Sequence, residues 1–494
     1  MMKKIAGIIR CAAFLLILAL TLGAINGVLL PKYYYFNAYW PSSTTFNQFY
    51  ALEEDTVDVL FLGSSVAMNA FSPMQIYKDY GIRSFNLGSE QQSPFLSYYW
   101  LKEALRTQSP KVVVMDARFC YNYREREPIN TEEGLTRKTL DQMRLSPVKM
   151  QAVHDLCARD VSHSELSYYL PNIRYHDRWK ELDKIDFYRG EYKYSKLMGY
   201  CPGTDTHPDE YITFDPKDAQ AETNALHAVS MEYLDRMAVL CREEGIEMIL
   251  VNIAGNEISD GIHNAYTAFA QKHGIDYYNF CETAQYQAVG AKFPEESIFR
   301  HVPWRGGVKM SQYMGRLLRD EYGIEGVQDG QWEENLPFYE NFLRMQELPS
   351  IYDLEAYLAA LPDGDCTIFM TVKDDAYTGM SEGAKAQLKR LGLHTEWNEG
   401  MARQPYMAIL SEGRVIEGAG GYQSYSSRFE GGRYDVLSIG YQDGNVASVK
   451  INGEERSVNR RGLNIVVYSH YQDKVIDSVS FDPQEGACTR KPVM

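Results

Sequence analysis

The sequence predicts an α/β fold: a doubly wound parallel sheet with a helical insertion, followed by a smaller C-terminal α+β domain. Two observations predict it. Short continuous apolar runs alternate with helical stretches from about residue 58 to 326, and a segment rich in hairpin signals follows residue 350. Apolar strands separated by helices are typical of a parallel sheet covered on both faces. A third observation, an apolar run near the N-terminus, adds one transmembrane helix.

Residues 1–31 are predicted to be a cytoplasmic start and a membrane anchor. The run 11–30 (CAAFLLILALTLGAINGVLL) has only Thr21 and Asn26 as polar interruptions, which is enough apolar length to cross a bilayer. The basic residues Lys3, Lys4 and Arg10 precede it, so the positive-inside bias leaves the rest of the chain outside. A cleaved signal peptide is the alternative, but its apolar region is shorter and ends in a clean small-x-small site. We expect a single-pass protein of the cell membrane with an extracytoplasmic body.

Charge and cysteine content exclude several classes of function. The formal net charge is −16 and no Lys/Arg-rich block occurs, so nucleic acid would be repelled. The eight Cys lack CxxC or CxxH spacing, and Cys11 lies in the apolar N-terminus, which argues against a disulfide scaffold and against a zinc site. The 37 Tyr suit carbohydrate contact, but Tyr also fills protein cores.

The domain expected over residues 32–326 contains five strand candidates: 59–62, 84–87, 112–115, 248–251 and 276–278. Helices are predicted at 97–107, 230–244, 262–273 and 308–318. In open parallel sheets ligands bind beyond the carboxyl ends of the strands. Four chemically interesting residues fall at such ends: Ser64, Ser65, Gly88 and Asp116.

Residues 120–215 interrupt this alternation. The stretch RYHDRWKELDKIDFYRGEYKYSK is rich in Tyr, Arg and Asp and predicts an inserted helical cap over the strand ends. Such a cap is either a lid that contacts the substrate or a solvated surface with internal salt bridges.

Gly63-Ser64-Ser65 follows the first strand candidate and precedes a helix. A serine on such a tight strand-to-helix turn exposes its hydroxyl at the sheet edge, where amides of the helix start point at whatever it attacks. A reactive serine also needs a base and donors for the oxyanion. His301 lies in a compact segment just before the last helix of the α/β region, and it is the candidate base.

The chain resembles SGNH/GDSL-type hydrolases in four blocks: Gly63-Ser64-Ser65, Asn86-Leu87-Gly88, a strand opened by Pro110, and His301 with Gly306. The stretches FLGSS, YGIRSFNLGSEQQSP, SYYWLKEALRTQSPKVVVMD and RYHDRWKEL look like membrane-anchored bacterial members. These are similar to the acyl-transfer protein of teichoic-acid D-alanylation and to alginate-type O-acetylation proteins. The resemblance covers about residues 1–325 and implies an SGNH/flavodoxin-like sheet.

By position, the resemblance implies that Ser65 is the nucleophile, with Ser64 in place of the usual Asp. It implies that His301 is the base and that the amides of Ser65 and Gly88 form the oxyanion hole.

The sequence departs from the family pattern at three places. Ile298 stands where the family has Asp, Pro303 stands where Asn is common, and the Asn of the third block has no clear match, with Asn122 as a candidate. Three carboxylates are therefore candidates to orient His301: Glu295, Glu296 and Asp116. A decayed site that keeps only the inherited turn is the alternative, since a serine without a properly oriented base is a poor nucleophile.

Residues 327–349 are predicted to form a linker or a bridging helix, and residues 350–494 a second domain. Its strand candidates are 367–372, 407–410, 436–441, 446–451 and 463–468, and its helix candidates are 352–361 and 381–391. Asp443-Gly444 and Asn452-Gly453 are hairpin signals.

The segments 361–392 and 460–482 resemble the two halves of the interleukin-like EMT inducer domain, in reversed order, which indicates a circular permutation. A similar domain occurs in the stem of a protein-O-mannose N-acetylglucosaminyltransferase, so the resemblance implies glycan binding. Asp374-Asp375 is either a cation site or a strand-end turn with an Asp cap.

We therefore expect a membrane-anchored serine esterase or O-acyltransferase that acts on a cell-surface or extracellular glycan and needs no metal or organic cofactor. By analogy, a multi-span membrane O-acyltransferase is its expected protein partner. The alternative is a non-catalytic glycan-binding or assembly protein on a decayed scaffold. A plain secreted lipase fits less well, because of the anchor and the C-terminal domain.

Overall fold

The computed structural model describes residues 2–31, 42–120, 133–160, 162–187, 196–203, 213–222, 226–253, 258–298, 301–429 and 431–493. The described chain divides into two compact units, the first ending at Glu333 and the second beginning at Glu334. Each unit has a hydrophobic core of its own.

Helix α1 (Met2–Leu29) opens the first unit. Its segment Ile5–Leu29, 25 residues, is long and apolar enough to cross a membrane, by length and composition. The hydroxyl of Thr21 donates to the carbonyl of Ile17, so this polar group is satisfied within the helix. The prediction of one N-terminal apolar helix of spanning length is confirmed.

Five parallel strands form the sheet of the first unit: β1 (Val59–Leu62), β2 (Ser84–Asn86), β3 (Val112–Asp116), β4 (Glu247–Asn252) and β5 (Asp276–Asn279). Their order is β2-β1-β3-β4-β5, with Val59 opposite Ser84 on one side and Val112 on the other. The predicted parallel sheet is confirmed. The strand order reverses around β1, and the carboxyl end of a strand at such a switch point is where ligands bind in open α/β sheets.

Four helices accompany the first three strands: α2 (Ser42–Phe49), α3 (Ser65–Ala70), α4 (Pro73–Tyr80) and α5 (Pro94–Ala104). Three of them begin with a serine whose side chain accepts a hydrogen bond from an amide of the first turn: Ser64, Ser72 and Ser93. Such caps fix where each helix starts. The cap at Ser64 therefore makes Ser65 the first residue of α3.

The described part of the insertion is helical, as the sequence predicts. It contains α6 (Glu133–Leu140), α7 (Pro147–Arg159), α8 (Glu165–Tyr169), α9 (Asn172–Tyr175) and 3-10 turns at His176–Lys180 and Lys184–Phe187. Residues 197–203 then return to the sheet, where the carbonyl of Met198 accepts from the amide of Asn86 and Gly203 bridges Pro303. The insertion is thus tied to the carboxyl ends of the strands at its C-terminal side.

The remaining helices of the first unit are α10 (Ala228–Glu244), α11 (Asp260–His273), α12 (Thr283–Val289), α13 (Trp304–Asp320) and α14 (Gly330–Glu333). Phe61, Val114 and Val251 pack with residues of α3, α12 and α13 on one face of the sheet. Leu60 and Leu250, which point to the other face, are equally buried. Burial on both faces explains why these strands read as continuous apolar runs.

The second unit combines three helices with two antiparallel sheets. Its helices are α15 (Leu336–Glu347), α16 (Leu354–Ala360) and α17 (Glu382–Arg390). One sheet has the order β15-β14-β13-β6-β7-β8 and the other β12-β11-β10-β9. The six-stranded sheet packs its helices on one face and the four-stranded sheet on the other.

The strands of the second unit are β6 (Cys366–Lys373), β7 (Tyr406–Ser411), β8 (Arg414–Ala419), β9 (Tyr422–Phe429), β10 (Gly432–Ile439), β11 (Val446–Ile451), β12 (Glu454–Glu455), β13 (Gly462–Ser469), β14 (Lys474–Asp482) and β15 (Ala487–Arg490). The five predicted strands match β6, β7, β10, β11 and β13. Both hairpin signals join antiparallel neighbours, and Asn452 and Gly453 take the positive φ values of 52° and 86° that a tight turn needs.

Candidate active site

The turn after β1 presents Ser65 at the carboxyl edge of the sheet. Gly63 has φ +139°, and a Cβ at this position would lie 2.5 Å from Cβ of Asp116, so only glycine fits. Ser64 caps α3, and Ser65 occupies the first helical position, where the backbone amide has no acceptor within the helix. Ser65 is buried, with 6% of the residue exposed.

His301 meets this serine from the loop before α13. The distance between Ser65 Oγ and His301 Nε2 is 2.9 Å, although 236 residues separate them in the chain. The ring can accept the serine proton at Nε2 when its own proton is on Nδ1. A serine hydroxyl within hydrogen-bond distance of a histidine nitrogen is an arrangement that can support nucleophilic chemistry.

The loop of His301 is held by close backbone packing on both sides. Pro303 pairs with Gly203, and the amide of Trp304 donates to the carbonyl of Gly203 at 3.0 Å. A Cβ at Gly306 would lie 2.0 Å from the carbonyl oxygen of Ser297, so the start of α13 lies directly against the preceding loop. The resemblance uses Gly306 as a landmark, and this close approach gives the physical reason for a glycine there.

The position that carries Asp in the resembled family is part of the core here. Ile298 is fully buried among apolar side chains of the face that packs against α13. No carboxylate is therefore supplied from this position.

Asp116, at the end of β3, holds the serine turn. Its Oδ2 accepts from the hydroxyl of Ser64 at 2.7 Å and from the Ser64 amide at 3.3 Å, while Oδ1 accepts from the amide of Arg118. Burial raises the pKa of Asp116, and the hydrogen bond from Ser64 opposes that rise. Asp116 is thus a positioning residue for the turn.

The two glutamates expected near His301 lie in the loop that precedes it. Glu296 accepts from the amide of Lys292 at 2.8 Å and lies 3.8 Å from Nζ of Lys309. The described contacts of Glu296 are thus with Lys292 and Lys309, and those of Asp116 with Ser64 and Arg118.

Gly88, the second expected oxyanion donor, lies next to the start of α3. A Cβ there would be 3.1 Å from the amide nitrogen of Met68 and 3.2 Å from the carbonyl oxygen of Ser64. The amide of Gly88 donates to the side-chain oxygen of Asn86 at 2.9 Å. A substrate oxygen would therefore have to replace Asn86 as the acceptor. The second expected donor, Asn122, lies outside the described residues.

Sequence reasoning missed how Asn86 and Asn69 organise the site. The side-chain amide of Asn86 donates to the carbonyls of Ala67 and Phe71, both at 2.9 Å, and so ties β2 to α3. The side-chain amide of Asn69 donates to the carbonyl of Cys201 at 2.6 Å, which ties α3 to the end of the insertion. Asn86 was visible in the second sequence block, but nothing in the sequence pointed to Asn69.

No protein-family model matches the chain, and no match is found among curated proteins.

The described geometry is suited to nucleophilic chemistry at Ser65. It combines a serine on a tight turn, a histidine nitrogen at hydrogen-bond distance and backbone amides at a helix start.

Among the described residues, no group of three or more His, Cys, Asp or Glu side chains is placed to hold a metal ion. Asp375 accepts from the amides of Tyr377 and Thr378 and from the Thr378 hydroxyl, as the residue that closes a turn does.

Proposed function

We propose that this chain is a membrane-anchored serine esterase or O-acyltransferase of the SGNH type that acts on a glycan outside the cytoplasm. The observation that carries the proposal is the 2.9 Å contact between Ser65 Oγ and His301 Nε2 at the switch point of a parallel sheet. The strand order and the place of His301 just before α13 are consistent with the family that the sequence resembles.

In the proposed reaction Ser65 Oγ attacks the acyl carbonyl while His301 Nε2 takes the hydroxyl proton. The oxyanion is stabilised by the amide of Ser65 and by the amide of Gly88 once Asn86 has been displaced as its acceptor. His301 then returns the proton to the leaving oxygen, and an acyl-serine remains. Water or a sugar hydroxyl attacks this ester, with His301 again as the base, which regenerates Ser65 and releases an acid or a new ester.

The location of the body follows from α1 and its flanking charges. Lys3, Lys4 and Arg10 precede the apolar run 11–30, and this positive-inside bias supports a body outside the cytoplasm. Protease added to intact cells should remove the body and leave a membrane-bound stub. A mature protein found free in the medium and starting near Gly27 would contradict the anchor.

The second unit is proposed to bind the glycan. Tyr422 and Tyr441 expose 66% and 56% of their surface, and exposed tyrosine rings can stack on sugars. Tyr422 pairs in register with Ile439, two residues before Tyr441, so the two rings belong to one end of the four-stranded sheet. On a glycan array the second unit should bind a surface sugar weakly, and Tyr422→Ala should lose that binding. A folded unit that binds no glycan would contradict this role.

One observation favours a second candidate, a non-catalytic glycan-binding or assembly protein. The amide of Gly88 already donates to Asn86, so one of the expected oxyanion donors is occupied. A multi-span membrane O-acyltransferase, the partner that the resemblance implies, would in that case supply all of the chemistry.

An activated-ester assay decides between the two. We expect turnover of p-nitrophenyl acetate that falls at least about 10²-fold in Ser65→Ala and in His301→Ala, because each variant removes one half of the pair. Ser109→Ala and His154→Ala are matched controls on exposed residues and should keep full turnover. Equal turnover in all five proteins would favour the non-catalytic candidate.

A further inference from the structure

The helical insertion packs against the last turn of α1. The amide of Asn172 donates to the side-chain oxygen of Asn26 at 3.1 Å. The guanidinium of Arg178 donates to the terminal carbonyl of Leu29 at 2.7 Å and to Asp186 at 2.9 Å. A carbonyl in the last turn of a helix receives no hydrogen bond from an amide of the same helix. Arg178 supplies the missing donor and so fixes the insertion beside the last turn of α1. Residues 172–187 therefore lie beside the outer end of α1.

The part of α1 that no other segment covers is as long as the hydrocarbon core of a bilayer is thick. Residues 5–25 are exposed all round, whereas residues 26–30 are partly or fully covered. At 1.5 Å per residue these 21 residues span about 31 Å, close to the roughly 30 Å of a bilayer's hydrocarbon core, and the long side chain of Arg10 can extend back to the cytoplasmic headgroups. If α1 spans the membrane, its covered last turn lies at the boundary between hydrocarbon and headgroups. The insertion segments that contact this turn lie at the same depth.

Large apolar side chains are exposed on α9 and the two turns, which contact α1, and on the α8 segment just before them. On α8, on α9 and on the two turns that follow, the exposed fractions are 56%, 40%, 45%, 65% and 59% for Leu166, Leu170, Ile173, Trp179 and Phe187. We call these five residues the juxtamembrane face. Exposed apolar residues are normally scattered singly over a protein, whereas a group of them marks an interaction surface. Trp in particular is enriched at the membrane–water interface.

We propose that the juxtamembrane face inserts into the interface of the extracytoplasmic leaflet. The lipid bilayer is its partner, and the first unit is held by α1 and by this face together. The proposal rests on the spanning role given to α1 in the proposed function, and it is independent of the chemistry at Ser65. A body held at two places cannot swing freely about α1, so Ser65 stays at a fixed height above the membrane.

The binding is apolar rather than electrostatic. Residues 165–187 contain four basic and five acidic residues, a net charge of −1. Attraction to anionic headgroups needs a clear excess of basic residues, which this segment lacks. Insertion should therefore occur equally in zwitterionic and anionic bilayers and should persist at high salt.

Quenching of Trp179 by brominated lipid tests the proposal on the full-length protein in nanodiscs. The emission of the wild type minus that of Trp179→Phe isolates this side chain from the other tryptophans, of which Trp100 and Trp332 are fully buried. With lipids brominated near the glycerol ester, we expect the difference emission to fall about twofold or more. With lipids brominated near the ends of the acyl chains, we expect a much smaller fall. Adding anionic lipid or salt should leave both values unchanged.

Two further proteins control the result. Val327, 42% exposed, packs beside Gly81 and not on the juxtamembrane face. Val327→Trp in the Trp179→Phe background should therefore give an unquenched tryptophan. Ile173→Glu with Leu170→Glu changes only exposed positions and should reduce quenching of Trp179 while leaving the melting temperature unchanged.

A difference emission that no brominated lipid quenches, with a maximum typical of water, would overturn the proposal. Protection of Trp179 in native membranes but not in nanodiscs would also overturn it, because the face would then belong to another membrane protein. Either result can coexist with active Ser65, and failed chemistry at Ser65 can coexist with quenching. The two proposals therefore fail separately.

Discussion

The turn that presents Ser65 depends on two residues that take no part in the proposed reaction. Gly63 adopts φ +139° and, having no side chain, leaves room for Cβ of Asp116. Asp116 in turn accepts hydrogen bonds from the side chain and the amide of Ser64. Together they decide where the hydroxyl of Ser65 lies relative to His301.

Gly63→Ala should damage both stability and activity. The new Cβ would lie 2.5 Å from Cβ of Asp116, and φ +139° is unfavourable for alanine, so we expect a loss of about 3 kcal/mol or more in unfolding free energy. Gly274→Ala is the matched control: φ is +67° and nothing lies within 4 Å, so only about 1 kcal/mol should be lost. Denaturant unfolding in mild detergent measures both, and equal losses would contradict the steric argument.

Asp116 should make the stability of the first unit depend on pH. Its pKa is raised in the folded state, mainly by burial, so the folded protein keeps a proton that the unfolded chain has already lost. Below about pH 4, the ordinary pKa of Asp, Asp116 is protonated in both the folded and the unfolded state, so its contribution to the unfolding free energy does not change with pH. As pH rises above that value, stability falls until the folded pKa is passed. The unfolding free energy of the wild type minus that of Asp116→Asn should therefore decrease over this window. A difference that stays constant or increases would show that the folded pKa is not raised.

Ser65 and His301 could be proposed from the sequence because the turn motif and the histidine before the last helix are local patterns. The role of Asp116 could not, because it depends on which side chains touch across a sheet edge. Ser64 and Asp116 are 52 residues apart, and several polar groups end at this same edge. Their spacing in the sequence places these groups at one edge, but only side-chain geometry shows that Asp116 pairs with Ser64.

At the scale of elements, the insertion is built around a buried ion pair rather than an apolar core alone. Arg137, on α6, is 1% exposed and lies 3.4 Å from Asp141 and 3.9 Å from the ring centroid of Tyr168. Tyr175 donates to the same aspartate at 2.7 Å. These contacts join α6, α8 and α9 into one body.

Arg137→Ala should unfold or strongly destabilise the insertion. Removing the guanidinium leaves Asp141 buried without its charge partner, which costs about 3–5 kcal/mol in comparable pairs. Arg319→Ala removes an exposed arginine from a surface pair with Asp320 and should cost less than about 1 kcal/mol. Hydrogen exchange of α6 to α9 distinguishes the two variants, and unchanged protection in Arg137→Ala would contradict the role of the pair.

Strands buried on both faces were predictable, and several others were not. β9 (YQSYSSRF) alternates exposed and half-buried side chains, so its polar composition hides a strand. β14 (KVIDSVSFD) is buried almost throughout although Asp and Ser interrupt it, because buried polar groups find partners, as Asp477 does with Tyr357 at 3.0 Å. Such partners come from distant parts of the chain and are invisible in a local pattern.

At the scale of the molecule, the segment expected as a linker is in part a component of the second unit. Phe338 and Phe342 of α15 pack edge to face on Tyr471, at 5.1 and 5.6 Å between ring centroids. Residues 350–494 alone would lack these contacts. The physical boundary therefore lies at Glu334, before α15.

A fragment of residues 334–494 should melt cooperatively on its own, because its core closes within these residues. A fragment of residues 345–494 loses three buried aromatic side chains: Phe338, Tyr339 and Phe342. We expect it to be less stable by more than about 3 kcal/mol, or to be unfolded. Calorimetry of the two fragments measures the difference. Equal melting temperatures would show that residues 334–344 are not needed by the second unit and that the boundary lies within residues 327–349, after α15 has begun.

The central claim is that Ser65 and His301 form a reactive pair, and fluorophosphonate labelling of the membrane-bound full-length protein tests it most directly. Labelling needs only an activated serine, so the unknown acyl group and glycan do not matter. The account predicts about one label per chain, found by mass spectrometry on Ser65, lost in His301→Ala and retained in His154→Ala. An unlabelled wild type beside a labelled reference serine hydrolase, or a label on another serine, would contradict it.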